Sequence, residues 1–238
     1  MVRGRVVSDS DDMSEIETLR DELKRVRRRA RRNQDKARAE GLMAGIVAML
    51  RPGDVVCDLG ANIGEVSAQL ASSGATVHAF DPDPYCLSRL RERFADAPNV
   101  IIHEGAVGTR AGTIQLQRAV NLDDDPKSAS VKSRVLAGGR MIDTDKDHAI
   151  DVPLIDFPAF LRGLIDQHGE VAFVKMDIEG AELELLGTLD AEKLFDKVRL
   201  TVAETHENKF KDLRPQFAAL RERISANYPQ SRVNLDWI

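Results

Sequence analysis

The chain has 238 residues and a formal net charge of −5, with 42% hydrophobic and 31% charged residues. This balance is that of an ordinary folded protein and excludes a chain that is disordered throughout. Its two cysteines are too few for a disulfide scaffold or a four-cysteine zinc module, which favours a reducing compartment. The longest apolar stretch covers ten residues, whereas a membrane-spanning helix needs about 20. Because the start also lacks the apolar core of a signal peptide, we expect a cytoplasmic protein without a membrane span.

The first 40 residues differ in charge from the rest, because they carry a net charge of +3 against −8 for residues 41–238. We predict a disordered lead over residues 1–13, followed by a basic amphipathic helix that Ser14 can cap. Its apolar residues follow a short heptad stripe made of Ile16, Leu19, Leu23, Val26 and Ala30. Three interpretations stay open: the packing edge of a solvated helix, a homodimer contact, and a basic arm for an anionic partner such as RNA.

Residues 41–238 form the main predicted domain, in which short apolar runs alternate with helical segments. The predicted strands cover residues 55–58, 76–81, 100–104, 171–177, 198–204 and 232–237. The predicted helices cover residues 63–72, 84–95, 181–189 and 213–226. Apolar runs without polar alternation, joined by helices, are typical of a parallel sheet that is covered on both faces. Right-handed crossovers then give a doubly wound, mostly parallel, Rossmann-like α/β sheet.

An interval at about residues 113–150 breaks this rhythm. Residues 113–117 alternate like a half-exposed strand, and residues 121–148 are rich in Asp, Lys, Ser and Gly. A loop of this length inside a compact domain is usually functional or mobile. We predict a flap over the ligand cleft between the third and fourth parallel strands, with an insertion of no role as the alternative.

The segment from Asp58 to Gly64 carries the main functional signal, because it follows a buried strand and opens a helix. Gly60 allows a sharp turn and the close approach of a ligand, and Gly64 allows close packing of the next helix. A dinucleotide site would instead use GxGxxG, with a pyrophosphate on the helix amides. Here the middle glycine is missing, and the Asp58 carboxylate would repel a pyrophosphate. The segment therefore suits a cationic ligand such as S-adenosylmethionine, and an NAD-dependent oxidoreductase is the weaker alternative.

Polar residues also end the other predicted strands. Asp81 comes 23 residues after Asp58 and is placed to accept hydrogen bonds from ribose hydroxyls. The third strand ends at Glu104 to Ala106, where an adenine would lie between apolar walls, and the fourth ends in the run from Lys175 to Gly180. These ends line one crevice in an open α/β sheet.

Three runs, at residues 58–64, 79–84 and 175–182, resemble the FkbM family of S-adenosylmethionine-dependent methyltransferases. The resemblance covers about residues 54–206 and includes residues 152–157. It implies a class I methyltransferase fold and O-methylation, often of sugar or natural-product hydroxyls. It implies cofactor contacts at Asp58, Gly60, Ala61, Asn62, Gly64, Asp81, Glu104, Gly105 and Ala106. Pro82 and Asp177, at the ends of predicted strands, are further candidates for cofactor binding. Asp81 stands where the family usually has glutamate, which gives a shorter reach to the ribose.

A hydroxyl acceptor needs a general base, and the candidates at the strand ends are His206, Asp177 and Glu204. His206 has a reference pKa of about 6.5, which suits a base, although a capping histidine is the alternative. Asp177 could instead orient the acceptor, bind the ammonium group of the cofactor or, together with Glu204, ligate a divalent cation. Too few ligands are apparent in the sequence to establish a metal site. Lys175 is expected to pack its stem beside the strand.

The expected acceptor is a small molecule or glycan with a hydroxyl group. An RNA-directed methyltransferase that uses the basic helix is the alternative. The acidic main domain argues against a nucleic-acid partner, because such partners are bound largely through positive charge.

Overall fold

The structure is a computed structural model that describes residues 9–117, 149–207 and 210–237. Contacts divide the chain into a unit that ends at Gly45 and a unit that covers Ile46–Trp237. The helices are α1 (Asp9–Met49), α2 (Glu65–Ala71), α3 (Pro84–Arg93), α4 (Phe157–His168), α5 (Glu182–Ala191) and α6 (Arg214–Asn227). The strands are β1 (Val55–Leu59), β2 (Thr76–Asp81), β3 (Val100–Glu104), β4 (Ala106–Gly108), β5 (Gly112–Gln117), β6 (Ala149–Asp156), β7 (Val171–Met176), β8 (Val198–Ala203) and β9 (Val233–Asn234).

The N-terminal helix α1 is longer than the sequence predicts. It begins at Asp9, so the predicted disordered lead is wrong for residues 9–13, and Ser14 lies inside the helix rather than at its cap. Residues 9–40 contain neither glycine nor proline, the two residues that most disfavour a helix interior. Four large apolar residues of the predicted stripe are exposed: Ile16, Leu19, Leu23 and Val26. The homodimer and the anionic partner stay predictions.

The main unit is built on a six-stranded sheet with the order β3-β2-β1-β7-β8-β9, in which every pair of neighbouring strands is parallel. This confirms the predicted Rossmann-like α/β fold. The chain builds outward from β1 through β2 to β3 and then returns to the other side of β1 with β7. The order therefore reverses between β1 and β7, and such a switch point opens a crevice at the carboxyl ends of the strands.

The central strands are buried because helices cover both faces of the sheet. Every residue of β1 and of β7 is buried. The largest fully buried side chains of this core are Phe80, Phe157, Phe173, Phe195 and Phe217. The last predicted strand, residues 232–237, shortens to β9, after which one antiparallel bridge joins Glu204 to Asp236.

A second sheet of three strands has the order β4-β6-β5. The strand predicted at residues 113–117 is confirmed as part of β5, which pairs antiparallel with β6. The other two strands and helix α4, whose cap is Asp156, were not predicted. The predicted flap at residues 121–148 lies outside the described residues.

Over these described ranges, the chain has no helix that is both long enough and apolar enough to cross a bilayer.

Candidate functional site

A cleft lies at the carboxyl ends of the central strands, at the switch point between β1 and β7. It contains about 690 Å³ of space free of protein atoms, a volume that includes adjoining solvent. The lining residues are Gly60, Asn62, Phe80, Asp81, Pro82, Asp83, Gly105, Ala106, Val107, Leu116, Asp177, Ile178 and Glu179. Seven of the predicted cofactor residues are among them, whereas Asp58, Ala61, Gly64 and Glu104 are not.

The glycine loop, residues 60–64, contacts the ends of β2 and β7. The amides of Gly60 and Ala61 both donate to the carbonyl of Phe80, at 3.0 and 2.9 Å. Gly60 has a φ of 78°, and a Cβ there would lie 1.8 Å from the carbonyl oxygen of Asp177. This space, which we expected to be open to a ligand, is occupied by the neighbouring backbone. Gly60 is thus required by the close approach of two chain segments.

The next amides of the glycine loop are engaged within the protein. Asn62 N donates to Asp81 Oδ2 at 2.8 Å, and Ile63 N donates to Asn62 Oδ1 at 2.7 Å. Gly64 N donates to the carbonyl of Ala61 at 2.9 Å. A pyrophosphate at this turn would need such amides as donors. The loop is therefore not arranged as a dinucleotide phosphate site.

The end of the glycine loop packs beneath the cleft rather than lining it. Gly64 has a φ of 82°, and a Cβ there would lie 2.6 Å from Phe94 Cε2 and 2.9 Å from Leu90 Cδ2. Its missing side chain therefore makes room for residues at the end of α3, not for packing of α2 on the sheet. Ala61 is buried in the same apolar cluster. Both residues support the loop through packing.

We expected the Asp58 carboxylate to face a cationic ligand, but in the structure it faces other protein groups. Its side chain is fully buried and its Oδ2 accepts a hydrogen bond from Ser67 Oγ at 2.6 Å. Its Oδ1 forms an ion pair with Lys175 Nζ at 3.2 Å. The carboxylate is therefore held by protein groups and stabilises the base of the glycine loop.

Lys175 has a larger part in the site than stem packing. Its buried Nζ donates to the carbonyl of Gly60 at 2.7 Å and lies 3.6 Å from Asp177 Oδ2. Burial lowers the pKa of Lys175, but the negative charges of Asp58 and Asp177 outweigh that effect and raise it overall. The side chain is thus a buried cation that joins the glycine loop to the end of β7.

Asp81 ends β2 inside the cleft, as predicted. Its Oδ2 accepts from Asn62 N and its Oδ1 accepts from Asp83 N at 2.9 Å. Burial raises the pKa of Asp81 to about 7, because desolvation of the charged form outweighs the two backbone hydrogen bonds. A carboxylate in this state gains from further hydrogen-bond donors, and two ribose hydroxyls are such donors.

The residues at the end of β3 differ in whether they face solvent or the cleft. Glu104 is exposed and forms an ion pair with Arg91 of α3, so its side chain does not reach the cleft lining. Gly105 and Ala106 do line the cleft. A Cβ at Gly105 would lie 2.8 Å from the carbonyl oxygen of Pro153 in β6. The second sheet therefore closes this side of the cleft.

The other side of the cleft ends in a group that we call the histidine cluster: Asp177, Glu179, Glu204 and His206. The His206 ring is 2% exposed, and its Nε2 lies 3.5 Å from Glu179 Oε1, 3.5 Å from Glu204 Oε1 and 3.7 Å from Asp177 Oδ1. Asp177, Glu179 and His206 can bring one ligand atom each to within 4.8 Å of the others. The structure thus gathers all three predicted catalytic residues and adds Glu179.

Glu182, at the start of α5, fixes the geometry of the histidine cluster. It is fully buried, and its Oε1 lies 2.9 Å from His206 Nδ1. Its two oxygens also accept from the amides of Ile178 and Gly180, at 3.0 and 2.8 Å. Glu179, between those amides, has a left-handed φ of 55°. Glu182 therefore holds both the histidine ring and the turn that carries Glu179.

Sequence reasoning missed Glu179, Glu182 and the role of Lys175. A lysine between apolar residues of a buried strand was a signal for a buried ion pair, because lysine is almost never fully buried unpaired. The acidic spacing of Asp177, Glu179 and Glu182 was a second signal. Neither revealed His206 as the common partner, because the chain returns to this point only after another helix and strand.

The parallel sheet, its switch-point cleft and the acid at the end of β2 match the fold of Rossmann-like methyltransferases. The chain belongs to the methyltransferase FkbM domain family, whose profile matches residues 58–229. This membership favours methyl transfer over the NAD-dependent alternative.

Three similar proteins are also described as methyltransferases. The chain is 31% identical over 182 residues to the 31-O-demethyl-FK506 methyltransferase FkbM of Streptomyces tacrolimicus, covering 66% of this chain and 67% of the relative. It is 31% identical to the methyltransferase sdnD of Sordaria araneosa, covering 74% of each chain. It is also 31% identical to the hexuronic acid methyltransferase AglP of Haloferax volcanii, covering 64% of this chain and 56% of the relative.

Proposed function

We propose that the protein is an S-adenosylmethionine-dependent O-methyltransferase that acts on a hydroxyl group of a sugar-like or natural-product-like small molecule. The observation that carries this proposal is the pairing of Asp81 with the glycine loop. Asp81 offers a buried, poorly solvated carboxylate to ribose hydroxyls. The amides beside it are engaged by the protein, which suits a nucleoside without a pyrophosphate.

The other lining residues fit the rest of such a nucleoside. Ala106, Val107 and Leu116 supply apolar surface beyond Asp81, where an adenine ring would lose water. Gly60 and Asn62 also line the cleft. The lining therefore combines apolar residues for a base, an acid for a ribose and the polar side chains of Asp177 and Glu179.

Bound S-adenosylmethionine supplies an activated methyl group, which passes to the acceptor oxygen as the carbon–sulfur bond breaks, its electron pair stays on sulfur, and the hydroxyl proton is lost. The chain has to align the acceptor and take up that proton. The histidine cluster is suited to both tasks, because Asp177 and Glu179 line the cleft and His206 lies directly behind them.

The names of two relatives support the choice of acceptor. One is described as acting on 31-O-demethyl-FK506 and the other on a hexuronic acid. The first name places the methyl group on an oxygen atom, and a hexuronic acid carries ring hydroxyl groups beside its carboxylate, so both names are compatible with the hydroxyl acceptor that we propose. RNA as the acceptor gains no support from the cleft, whose polar end is acidic.

The cofactor half of the proposal is tested by calorimetry with the full chain. We expect S-adenosylhomocysteine to bind at least about tenfold more tightly than NAD, a difference of about 1.4 kcal/mol. Equal or weaker binding of S-adenosylhomocysteine would contradict the cofactor assignment.

The acceptor half is tested with S-adenosylmethionine that carries a labelled methyl group. Glycosides of a hexuronic acid are compared with matched analogues in which the ring hydroxyls are replaced by hydrogen. Label is expected in an ether of the hydroxylated compounds alone. Label in the carboxylate ester, or equal label in the deoxy analogues, would overturn O-methylation of a hydroxyl.

A further inference from the structure

We propose that the histidine cluster is a binding site for one divalent first-row cation of the Mn²⁺ type, with His206 Nε2 and carboxylate oxygens of Asp177 and Glu179 as its ligands. The site itself is argued from geometry and donor chemistry. Its use in catalysis rests on the proposed methyl transfer.

The distances from His206 Nε2 to the oxygens of Glu179 and Asp177 are close to those between ligands that share an ion. Bonds of about 2.0–2.2 Å to nitrogen and oxygen put two ligand atoms roughly 3.0–3.6 Å apart when they subtend about 90–110° at the metal. His206 Nε2 lies 3.5, 3.5 and 3.7 Å from Glu179, Glu204 and Asp177 oxygens, respectively. Direct hydrogen bonds between nitrogen and oxygen are shorter, at about 2.7–3.2 Å. The ring nitrogen lies at similar distances from Asp177 and Glu179, and the three residues offer ligand atoms within 4.8 Å of one another.

The second ring nitrogen of His206 supplies an independent argument. Metal-bound histidines usually donate their other nitrogen to a carboxylate, which fixes the tautomer and turns the ring toward the ion. Glu182 occupies this position, with its Oε1 2.9 Å from Nδ1. Because Glu182 is fully buried and also holds two backbone amides, the ring is locked with Nε2 toward the other acids.

The exposure of the ligands indicates which side of the ion would be open. The side chain of His206 is 2% exposed, whereas those of Glu179 and Asp177 are 17% and 31% exposed. Asp177 and Glu179 line the cleft. A bound ion would thus have the histidine behind it and the cleft in front, where an acceptor oxygen can complete its coordination.

The donor set favours Mn²⁺ or a similar ion. Carboxylates suit Mg²⁺, Ca²⁺ and Mn²⁺, whereas an imidazole suits the transition metals. Coordination of the acceptor hydroxyl to the ion would lower the pKa of that hydroxyl and ease loss of its proton. In this arrangement His206 is a metal ligand, and the proton passes to a carboxylate or to water.

The proposal is tested with the full chain and Mn²⁺ alone, by titration calorimetry and by electron paramagnetic resonance. We expect one bound Mn²⁺ per chain and coupling to a ¹⁴N nucleus from His206. Glu179→Gln removes a charged ligand without changing its size, and we expect at least about tenfold weaker binding. In the His206→Gln variant the nitrogen coupling should vanish.

Glu184→Gln is the matched control. Glu184 lies on the same helix as Glu182 but is exposed and accepts a hydrogen bond from Thr109. Mn²⁺ affinity should stay within about twofold of the parent, because this change is outside the cluster. An equal loss of Mn²⁺ affinity in this control would show that the affinity depends on total charge and not on ligation, and it would overturn the proposed site.

Binding of S-adenosylhomocysteine by the same preparation separates this proposal from the proposed function. If that nucleoside binds and millimolar Mn²⁺ does not, the cation site is wrong and His206 stands as the direct base. If Mn²⁺ binds at the cluster and the nucleoside does not, the cation site stands and the proposed function fails.

Discussion

The glycine loop and the histidine cluster both contribute residues to one cleft, and they are built in different ways. The glycine loop is shaped by backbone: a left-handed glycine, two amides on the Phe80 carbonyl and a missing Cβ. The histidine cluster is shaped by side chains from the ends of two strands, with Glu182 as their support. The glycine loop thus gives the cleft its shape through the missing side chain of Gly60. The histidine cluster gives the cleft its reactive groups through the side chains that it contains.

Lys175 joins the two regions, because it donates to the carbonyl of Gly60 and lies beside Asp177. Gly60 joins them as well, since its missing Cβ admits the carbonyl of Asp177. Changes at these two positions should therefore affect both the glycine loop and the histidine cluster, whereas a change at Asp81 should affect only nucleoside binding.

The largest expected effect is that of Gly60→Ala. The added Cβ would lie 1.8 Å from the carbonyl oxygen of Asp177, at a φ of 78°. We expect a loss of at least about 4 kcal/mol in the free energy of unfolding, measured by urea denaturation and circular dichroism.

Gly53→Ala is the control for backbone strain alone. Gly53 has a φ of 93°, but a Cβ there would meet no atom within 4 Å. A loss of about 1–2 kcal/mol is expected from the left-handed conformation. Equal losses at both positions would show that the contact between the two segments is unimportant.

The second effect is that of Lys175→Met, which leaves the buried Asp58 carboxylate without its cation. Removing one partner of a buried ion pair costs about 3–5 kcal/mol, measured by the same unfolding experiment. Adding Asp58→Asn should restore part of this loss, because the stranded charge is then gone. A double variant as unstable as Lys175→Met alone would contradict the pairing.

Arg199→Met is the control for a solvent-facing pair. Arg199 pairs with Asp54 and Glu170 at the surface. Exposed pairs contribute about 0–1 kcal/mol, so a small change is expected.

The smallest effect is a pH dependence from Asp81. The pKa of its carboxyl is about 7 in the protein without ligand, and hydroxyl donors favour the charged form, so nucleoside binding should release a proton. Affinity for S-adenosylhomocysteine should therefore be about tenfold weaker at pH 6 than at pH 8. Calorimetry with Asp81→Asn should give weaker binding and a flat profile. An equally steep profile in that variant would assign the proton to another group.

The same raised pKa has the opposite consequence for folding stability. Between about pH 4 and 7 the folded protein keeps a proton on Asp81 that the unfolded chain has released. The contribution of this group to stability therefore falls as pH rises through that window.

Much of the fold was predictable because its signals are local. Apolar runs such as 55–58 and 171–177 predicted the parallel strands, and both are confirmed with small shifts in their bounds. The small sheet was harder to predict. Pro153 lies in its middle strand, although proline lacks the amide donor and is disfavoured there. Helix α4 follows directly after that strand and was missed with it.

The candidate site shows the same difference between residues that local signals predicted and residues whose partners they did not. Gly60, Asp81 and Asp177 were predicted from their places at strand ends, and all three line the cleft. Asp58 and Glu104 were expected to face the ligand, but Asp58 is buried against Lys175 and Glu104 pairs with Arg91 at the surface. A strand-end position fixes where a residue lies, whereas the direction and partners of its side chain depend on its neighbours.

The sequence by itself determined the parallel α/β architecture, the turn at Gly60 and the acid at the end of β2, because periodicity and backbone conformation are properties of consecutive residues. The tertiary structure decided that Lys175 would neutralise Asp58 and that Glu182 would orient His206 toward three other acids. Those partners come from segments far apart in the chain. Only the order and register of the strands bring their side chains within a few ångströms of one another.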